Sequence, residues 1–428
     1  MYDNTPNYDR ESAERVAGMM LEYARKKKPD VLFCSNYNRG QLTWGRAQNM
    51  ITTEEGSVPG YYAADPMPGT RYIYKASGRP SFAKFGSSRV SANGQTGWLV
   101  NNAGLARYLM GVSQGWRPII IEEGAWNGAD RMTSILSPHQ YKLSIAESAA
   151  FGFGFEVQFL GAFQRDLFFH RPEAIRGEEA IGKYNGFFAK NENLFTGPES
   201  VAQTALLCDN TDGALELLNH LAGKNFIFDV LFSRTLSANQ LEHYPRVALA
   251  NTHRVSDTSL ALLQAYVKNG GTLLIAGQSA IEDDDGQKRF QPGFAGLVNT
   301  NCQEPGQVEC AFNLGKGKIL YLASGSNEAI YDALASSTGS QVLSVEGPGY
   351  VICNLIHQPQ QNRHVLYVLN YSQGPVHDLK VRIQSSFSNA ELSSPDKVST
   401  QVKVTREGAG FVRVAIPELD IFDVVVLR

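Results

Sequence analysis

The sequence predicts an α/β protein of several domains, and three changes in its pattern support this. Residues 1–197 alternate between helical segments and short buried strands, which is typical of a parallel sheet wrapped by helices. Residues 198–345 repeat the alternation in a way that predicts a second, open and doubly wound sheet. Residues 346–428 have no helical period, and their short strands between turns predict a small antiparallel β-sandwich. A chain of 428 residues is also too long for a single core.

The first segment, residues 1–197, is predicted to form helices and parallel strands in turn. Apolar residues recur at helical spacing over 11–27, and Pro29 ends that helix before a strand over 30–36. The stretch 57–97, rich in Gly, Ser and Tyr, is predicted to be a long functional loop or lid. Further strands are predicted over 50–56, 118–124 and 153–161, and further helices over 98–114, 138–150 and 178–195.

Two of these strands end in the same way, since the runs 50–56 and 118–124 stop at Glu54-Glu55-Gly56 and Glu122-Glu123-Gly124. Short apolar runs are typical of strands buried on both faces of a parallel sheet, and the carboxyl ends of such strands form the mouth where these folds place their chemistry. Carboxylates facing each other across a sugar-sized gap are the minimal groups needed to cleave a glycosidic bond. Because neighbouring strand residues lie on opposite faces, only one glutamate of each pair can face that mouth. The alternative is that these glutamates are solvated loop ends or favour a helix N-terminus.

Polar and aromatic residues follow strands at the same mouth. Asn36 and Asn38 come at or after the end of the strand 30–36 and could hold sugar hydroxyls or only cap the loop. Trp44 and Trp126 lie just beyond strand ends and could stack on a pyranose face, although a place in the core is equally consistent with the sequence. Together with Glu123, these four residues are the predicted substrate-binding set.

The second and third segments have regular element patterns. Gly277-Gln278-Ser279 follows one strand of the second segment, but no histidine is placed to serve Ser279, so no catalytic triad is predicted. The second segment is predicted to contain strands over 205–209, 246–250, 272–277 and 318–322 and helices over 212–222 and 257–268. The third is predicted to contain strands over 365–371, 379–383, 411–416 and 424–427.

Composition excludes several classes of function. The net charge is −3 and no basic stripe occurs, so no nucleic-acid partner is expected. No apolar run is long enough to span a bilayer, and no signal peptide is seen, which predicts a cytoplasmic protein with no membrane partner, although a mature secreted form would look the same. The five cysteines lack CxxC and zinc spacings, so reduced thiols are expected, and pairing of Cys302 with Cys310 is the less favoured alternative. No metal or other cofactor is predicted.

Several stretches resemble family 42 β-galactosidases and their relatives among glycoside hydrolases. Met1-Tyr2-Asp3-Asn4-Thr5 looks like the end of the fourth barrel strand in glycoside hydrolases that carry Phe/Tyr-Asp-Asn there. The run 184–197 resembles the helix that leaves the barrel, and the run 266–274 resembles the amidotransferase-like middle domain of family 42. The final run, 416–427, resembles the closing β-sandwich of those enzymes.

This resemblance implies an α/β multidomain fold in three parts. Residues 1–197 would be the C-terminal part of a (β/α)8-type barrel and catalytic, with barrel strands one to three upstream of Asp3. Residues 198–345 would be a flavodoxin/amidotransferase-like doubly wound α/β domain, catalytically dead and used for oligomerisation. Residues 346–428 would be the C-terminal antiparallel β-sandwich. Such a protein is expected to be a homo-oligomer.

The resemblance also implies two catalytic schemes that share Asp3. In the family 42 scheme the fourth strand supplies the acid/base and the seventh the nucleophile, and counting makes the run 118–124, which carries Glu122, the seventh. In relatives that resemble α-galactosidases and α-fucosidases, the fourth-strand Asp is the nucleophile and the acid follows the sixth strand, counted here as the one ending at Glu54-Glu55. We favour the second scheme because Asp-Asn matches it. Burial beside a second carboxylate would raise the pKa of the acid as the reaction requires.

The sequence therefore predicts a glycoside hydrolase that cleaves a carbohydrate substrate by paired-carboxylate acid/base catalysis without a cofactor. The alternative is a non-catalytic carbohydrate-binding or assembly protein derived from such an enzyme. An active amidotransferase is disfavoured because its Gly-x-Cys-x-Gly elbow is absent. The catalytic candidates are Asp3, Glu54, Glu55 and Glu122.

Overall fold

The fold is described from a computed structural model. It describes residues 137–428 apart from 153, 159–160, 210–211, 285, 299–309, 337–340, 373 and 409. Before residue 137 it describes residues 19, 22–23, 26–27, 33–35, 50–51, 60–61, 72–77, 103–112 and 119–123.

Six strands come first within the described residues, and four of them form a parallel sheet. They are β1 (Phe33–Ser35), β2 (Met50–Ile51), β3 (Gly60–Tyr61), β4 (Tyr72–Ser77), β5 (Ile119–Glu123) and β6 (Gly154–Gln158). The sheet order is β1-β4-β5-β6, and every neighbouring pair is parallel. Parallel neighbours in chain order are the arrangement that the strand–helix alternation predicts.

The predicted place of the run 50–56 in this sheet is wrong. Its first two residues form β2, which pairs antiparallel with β3 in a separate two-stranded sheet. The strand between β1 and β5 is instead β4, which lies inside the stretch predicted to be a loop. The sequence of β4, Tyr-Ile-Tyr-Lys-Ala-Ser, has the aromatic and β-branched residues that favour strands, but the Gly- and Ser-rich flanks obscure it.

Among the described residues, the helices with full bounds that accompany these strands are α1 (Ala103–Val112), α2 (Pro138–Ala150), α3 (Gly161–Phe168) and α4 (Pro172–Lys190). Residues 19, 22–23 and 26–27 are also helical. Helix α2 begins with a capping box, in which the backbone N–H of Gln140 donates to Ser137 Oγ at 3.3 Å and that of Ser137 donates to Gln140 Oε1 at 2.9 Å. Pro138 occupies the first turn, where its missing N–H costs nothing. Helix α4 starts six residues before the predicted 178, again at a proline.

The middle of the chain forms a six-stranded sheet flanked by helices. After β7 (Glu199–Ser200), its strands are β8 (Thr204–Cys208), β9 (Asp229–Phe232), β10 (Arg246–Ala250), β11 (Thr272–Ala276), β12 (Cys310–Leu314) and β13 (Gly317–Leu322). The parallel strands run in the order β9-β8-β10-β11-β13, and β12 is an antiparallel edge. This is the flavodoxin-like order. The helices are α5 (Asp212–Gly223), α6 (Ala238–Glu242), α7 (Asp257–Lys268) and α8 (Asn327–Ser336).

Successive side chains along these strands lie on opposite faces of the middle sheet, and each face has its own apolar core. In β10, for example, Ala248 belongs to the cluster on one face and Val247 and Leu249 belong to the cluster on the other. The first cluster also contains apolar residues of α1, α5 and α8, and the second contains residues of α7. A sheet buried on both faces explains why its strands read as continuous apolar runs.

Two antiparallel sheets make up the C-terminal part. Their strands are β14 (Leu343–Glu346), β15 (Val351–Gln358), β16 (Arg363–Asn370), β17 (Val376–Gln384), β18 (Ala390–Ser393), β19 (Thr400–Val402), β20 (Val404–Glu407), β21 (Phe411–Leu419) and β22 (Phe422–Leu427). One sheet has the order β14-β17-β21-β20 and the other β19-β18-β22-β16-β15-β7. A shared apolar cluster lies between them, as the predicted sandwich requires.

The second sandwich sheet also packs against the N-terminal helices through its other face. Phe195, just after α4, stacks on Tyr367 of β16 with ring centroids 5.4 Å apart, and the Tyr367 hydroxyl donates to the carbonyl of Leu194 at 2.6 Å. Phe188 of α4 contacts Phe422 of β22 at 5.7 Å. The first and third parts of the chain therefore share one core.

Candidate functional site

The carboxyl edge of the parallel sheet is the candidate active site. Its strands end at Ser35 in β1, Ser77 in β4, Glu123 in β5 and Gln158 in β6. In β5 and β6 the register pairs Glu122 with Val157 and Glu123 with Gln158, so both glutamates lie in the last two positions of their strand. Polar residues therefore end all four strands, at the edge where parallel α/β folds bind ligands.

Register also separates the two glutamates of β5. Paired residues of parallel strands lie on the same face of the sheet, and consecutive residues of a strand lie on opposite faces. Glu123 therefore shares a face with Gln158 and Glu156, whereas Glu122 shares a face with Val157 and Phe155. The backbone register therefore places the two positions on opposite faces of the sheet.

The sheet includes two polar residues of β6 that the sequence analysis did not select. Glu156 pairs with Ile121 and Gln158 with Glu123, so both adjoin the end of β5. The strand itself is predicted, over 153–161, and the rule applied to Glu122, a polar residue near the end of a parallel strand, would also have found them.

The remaining predicted site residues lie outside the described residues. They are Asp3, Asn36, Asn38, Trp44, Glu54, Glu55 and Trp126. In the sequence, Asn36 directly follows Ser35, the last residue of β1. The prediction that Glu54 and Glu55 lie at the candidate edge depends on a parallel strand over 50–56. In the structure, β4 occupies the place of that strand between β1 and β5. These two acids lie in the connection between β2 and β3.

The middle sheet offers no nucleophile at the position of the amidotransferase elbow. The hydroxyl of Ser279, which follows β11, is fully buried and lies 2.7 Å from the carbonyl of Ala276 and 3.0 Å from that of Leu249. Burial also raises the pKa of the Cys208 thiol, at the end of β8, so that the thiol stays protonated. Both groups are held as structural residues.

The described part of the chain has neither a metal-binding cluster nor a membrane-spanning helix. Within it, no group of three or more His, Cys, Asp or Glu side chains could hold a metal ion. No helix of the described residues combines the length and apolar character needed to cross a bilayer.

Comparison with solved structures relates the fold to glycoside hydrolases. β-Galactosidase from Bacillus circulans sp. alkalophilus superposes with a TM-score of 0.67 at 11% identity, over 99% of this chain and 67% of that one. Gan42B, a GH42 β-galactosidase from G. stearothermophilus, gives 0.62 at 13% identity, over 99% and 68%. α-L-Fucosidase isoenzyme 2 from Paenibacillus thiaminolyticus gives 0.55 at 15% identity, over 76% and 62%.

These similarities establish a GH42-like fold for the chain, which spans 62% to 68% of the length of those three proteins. No family model and no curated protein sequence matches the chain. At such low identity the likeness concerns the fold alone, and the chemistry has to be argued from the residues.

Proposed function

We propose that the protein is a glycoside hydrolase that cleaves an O-glycosidic bond with carboxylates at the carboxyl edge of its parallel sheet. The observation that supports this is the position of Glu122 and Glu123 as the last two residues of β5, one strand from the polar end of β6. A carboxylate, from Asp or Glu, is the group that the chemistry requires, and this edge is where parallel α/β folds place their catalytic residues.

The sheet topology favours the family 42 scheme over the one that the sequence favours. If Asp3 ends a fourth strand, β1, β4, β5 and β6 become strands five to eight, and β5 keeps the seventh place. Glu122 is then the proposed nucleophile, with Asp3 on the fourth strand as its partner. Glu54 and Glu55 do not follow the sixth strand in this count. They remain alternative partners for Glu122, as residues of the connection between β2 and β3.

The proposal also assigns substrate binding to residues 1–197 and oligomerisation to residues 198–345. Asn36, Asn38, Trp44, Glu123 and Trp126 are proposed to bind a carbohydrate substrate around the acids. Residues 198–345 are proposed to serve oligomerisation without catalysis, in line with the buried Ser279 hydroxyl. The substrate and the homo-oligomer are both parts of this proposal.

The adjacent acids of β5 provide a matched pair of variants. A panel of aryl glycosides is hydrolysed by the wild type, Glu122→Gln and Glu123→Gln, with Glu173→Gln, an exposed acid of α4, as control. We expect Glu122→Gln, at the proposed nucleophile, to lose activity by about 10³-fold or more, and Glu123→Gln, at a proposed substrate-binding residue, to lose much less. The reverse order would contradict the assignment of Glu122. Wild-type activity with no loss in either variant would contradict the site.

A second series identifies the partner acid. Asp3→Asn, Glu54→Gln and Glu55→Gln are assayed on the best substrate, and we expect the partner to lose about 10²–10⁴-fold. The activity of that variant should fall less on glycosides whose leaving group needs no protonation. A wild type that binds sugars and hydrolyses none of the panel would support the alternative, a carbohydrate-binding protein derived from a glycoside hydrolase.

A further inference from the structure

A cavity of about 620 Å³ lies where the three parts of the chain meet. Helix α1, the end of α2, β9 and β15 form its interior, and α6 with residues 198–200 forms its rim. Gly152 lines it and lies two residues before the first residue of β6, so the cavity is at the amino end of the parallel sheet. It is therefore separate from the carboxyl edge that carries Glu122 and Glu123, and its volume is in the usual range of small-molecule sites.

Arg107 of α1 is the cation of this cavity. Its Nη1 donates to the carbonyl of Phe228 at 2.7 Å and its Nη2 to Oδ1 of Asn354 at 2.9 Å. The guanidinium also lies 5.5 Å from the ring of Phe151 and 5.0 Å from that of Phe228. Burial lowers the pKa of Arg107 to about 10, against the attraction of Asp229, so the group stays charged at neutral pH. Contacts to the second and third parts of the chain hold this charge in place.

Asp229 is the matching anion. It begins β9 and accepts a hydrogen bond from the Tyr244 hydroxyl at 2.9 Å through Oδ2. Among the described side chains it forms no ion pair with Arg107, although the two charges are close enough to interact. The second carboxylate oxygen of Asp229 and the unused N–H groups on the two Nη atoms of Arg107 therefore keep hydrogen-bonding capacity for a further group, whereas Nε of Arg107 is buried without a partner in the described part of the chain.

We propose that this cavity binds a neutral polyhydroxylated ligand, a mono- or disaccharide, as a site distinct from the catalytic one. A hydroxyl can donate to Asp229 and accept from Arg107 at the same time, which neither a simple anion nor a simple cation can do. Glu199 on the rim makes an anionic ligand still less favourable. The rings of Phe151 and Phe195 line the same space and provide apolar walls for the C–H face of a sugar.

The position of the cavity gives such a ligand a structural effect. The ligand would contact α1, β9 of the middle sheet and β15 of the sandwich at the same time. Binding would therefore stabilise, by mass action, the packing of these three parts of the chain on one another. This site is formed by the residues of the cavity and does not depend on the proposed hydrolysis, so either proposal can fail alone.

The test is calorimetric titration of the full chain with D-galactose, D-glucose, L-fucose and lactose. It uses a Glu122→Gln, Glu123→Gln background to suppress turnover, and circular dichroism confirms folding of each variant. We expect at least one sugar to bind saturably and its affinity to fall at least tenfold in Asp229→Asn, which removes the charge, and in Asn239→Trp, which fills the exposed rim. Glu242→Gln, on the same helix but outside the cavity, should bind like the background.

Two results would overturn the proposal. One is that none of the four sugars binds at millimolar concentration. The other is that Asp229→Asn and Asn239→Trp bind as tightly as the background, which would place the sugar elsewhere, for example at the carboxyl edge. Hydrolysis is then assayed in the wild type and with Asp229→Asn and Asn239→Trp each introduced into it. A substitution that abolishes sugar binding but leaves hydrolysis unchanged would show that this site is separate from the catalytic one.

Discussion

The hydroxyl of Tyr184 in α4 donates a hydrogen bond of 2.6 Å to Oδ2 of Asp396, which lies between β18 and β19 of the sandwich. The Nζ atoms of Lys142 and Lys183 lie 3.0 Å and 2.6 Å from Oδ1 of the same carboxylate. One aspartate thus accepts from three donors on two helices. Burial opposes ionisation of Asp396, but the hydrogen bonds from Lys183, Tyr184 and Lys142 outweigh it and hold the pKa below its ordinary value.

Replacing Asp396 by Ala is expected to lower the free energy of unfolding by about 2 kcal/mol, because Tyr184 and two lysines lose their acceptor at a partly buried site. Urea denaturation measures the effect, and Asp332→Ala, an exposed residue of α8, is the control. The loss should shrink as the pH falls through the depressed pKa of Asp396, because its stabilising charge is then titrated in the wild type too. A variant as stable as the wild type at neutral pH would contradict this role.

Much of the fold could be predicted because its strongest signals are local. The middle strands around Val247 and Leu273 are continuous apolar runs, and the helix 257–268 is predicted with its observed bounds because Ser256 caps it and Gly270 follows it. The strand β9 was missed, since its four residues, Asp-Val-Leu-Phe, form too short a run to separate from a loop.

The candidate site was less predictable because it depends on how distant strands pair. The motif at Glu54-Glu55 looks locally like the one at Glu122-Glu123, yet β2 pairs antiparallel with β3, whereas β5 joins the parallel sheet. Hydrogen-bonding partners of a strand are set by long-range packing and not by its own residues. The role of Arg107 was likewise invisible, because its contacts, Phe228 and Asn354, are more than 100 residues away in the chain.

Two glycines of α4 are expected to respond in opposite ways to substitution by Ala. A Cβ at Gly182 meets nothing within 4 Å, so Gly182→Ala should stabilise the protein by about 0.5–1 kcal/mol through helix propensity. A Cβ at Gly177 would lie 3.1 Å from Tyr141 and 3.3 Å from Phe163, so crowding should cancel or reverse that gain. Thermal unfolding of the two variants tests the packing of α4 on α2 and α3. Equal stabilisation in both would show that the packing around Gly177 is looser than described.

Alkylation should reveal a disulfide that the sequence analysis did not favour. Cys310 is disulfide-bonded, and its partner lies outside the residues whose side chains are described, whereas Cys208 and Cys353 are free and buried. Of the five cysteines, three should react with iodoacetamide in the denatured, unreduced protein, and all five after reduction. Mass spectrometry gives both numbers, and peptide mapping identifies the partner of Cys310. Five labelled cysteines without reductant, in protein purified under oxidising conditions, would contradict the disulfide.

Asp423 in β22 is expected to make the protein less stable as the pH rises from about 4 to about 6. Its side chain is fully buried, and burial raises its pKa from 3.8 to about 6, although Lys397, with Nζ 3.1 Å from Oδ2, opposes the rise. Between these two values the folded state holds a proton that the unfolded chain has released, so stability falls with increasing pH.

The variant Asp423→Asn isolates this effect, because all other titrating groups cancel when it is compared with the wild type. The amide can still accept from Lys397, whereas Oδ1 of the aspartate has no hydrogen-bond partner among the described residues. The wild type should therefore lose about 2 kcal/mol relative to the variant between pH 4 and pH 7. Urea denaturation at both pH values measures the difference. A constant difference across this range would mean that Lys397 fully compensates the buried charge, and the raised pKa of Asp423 would then be wrong.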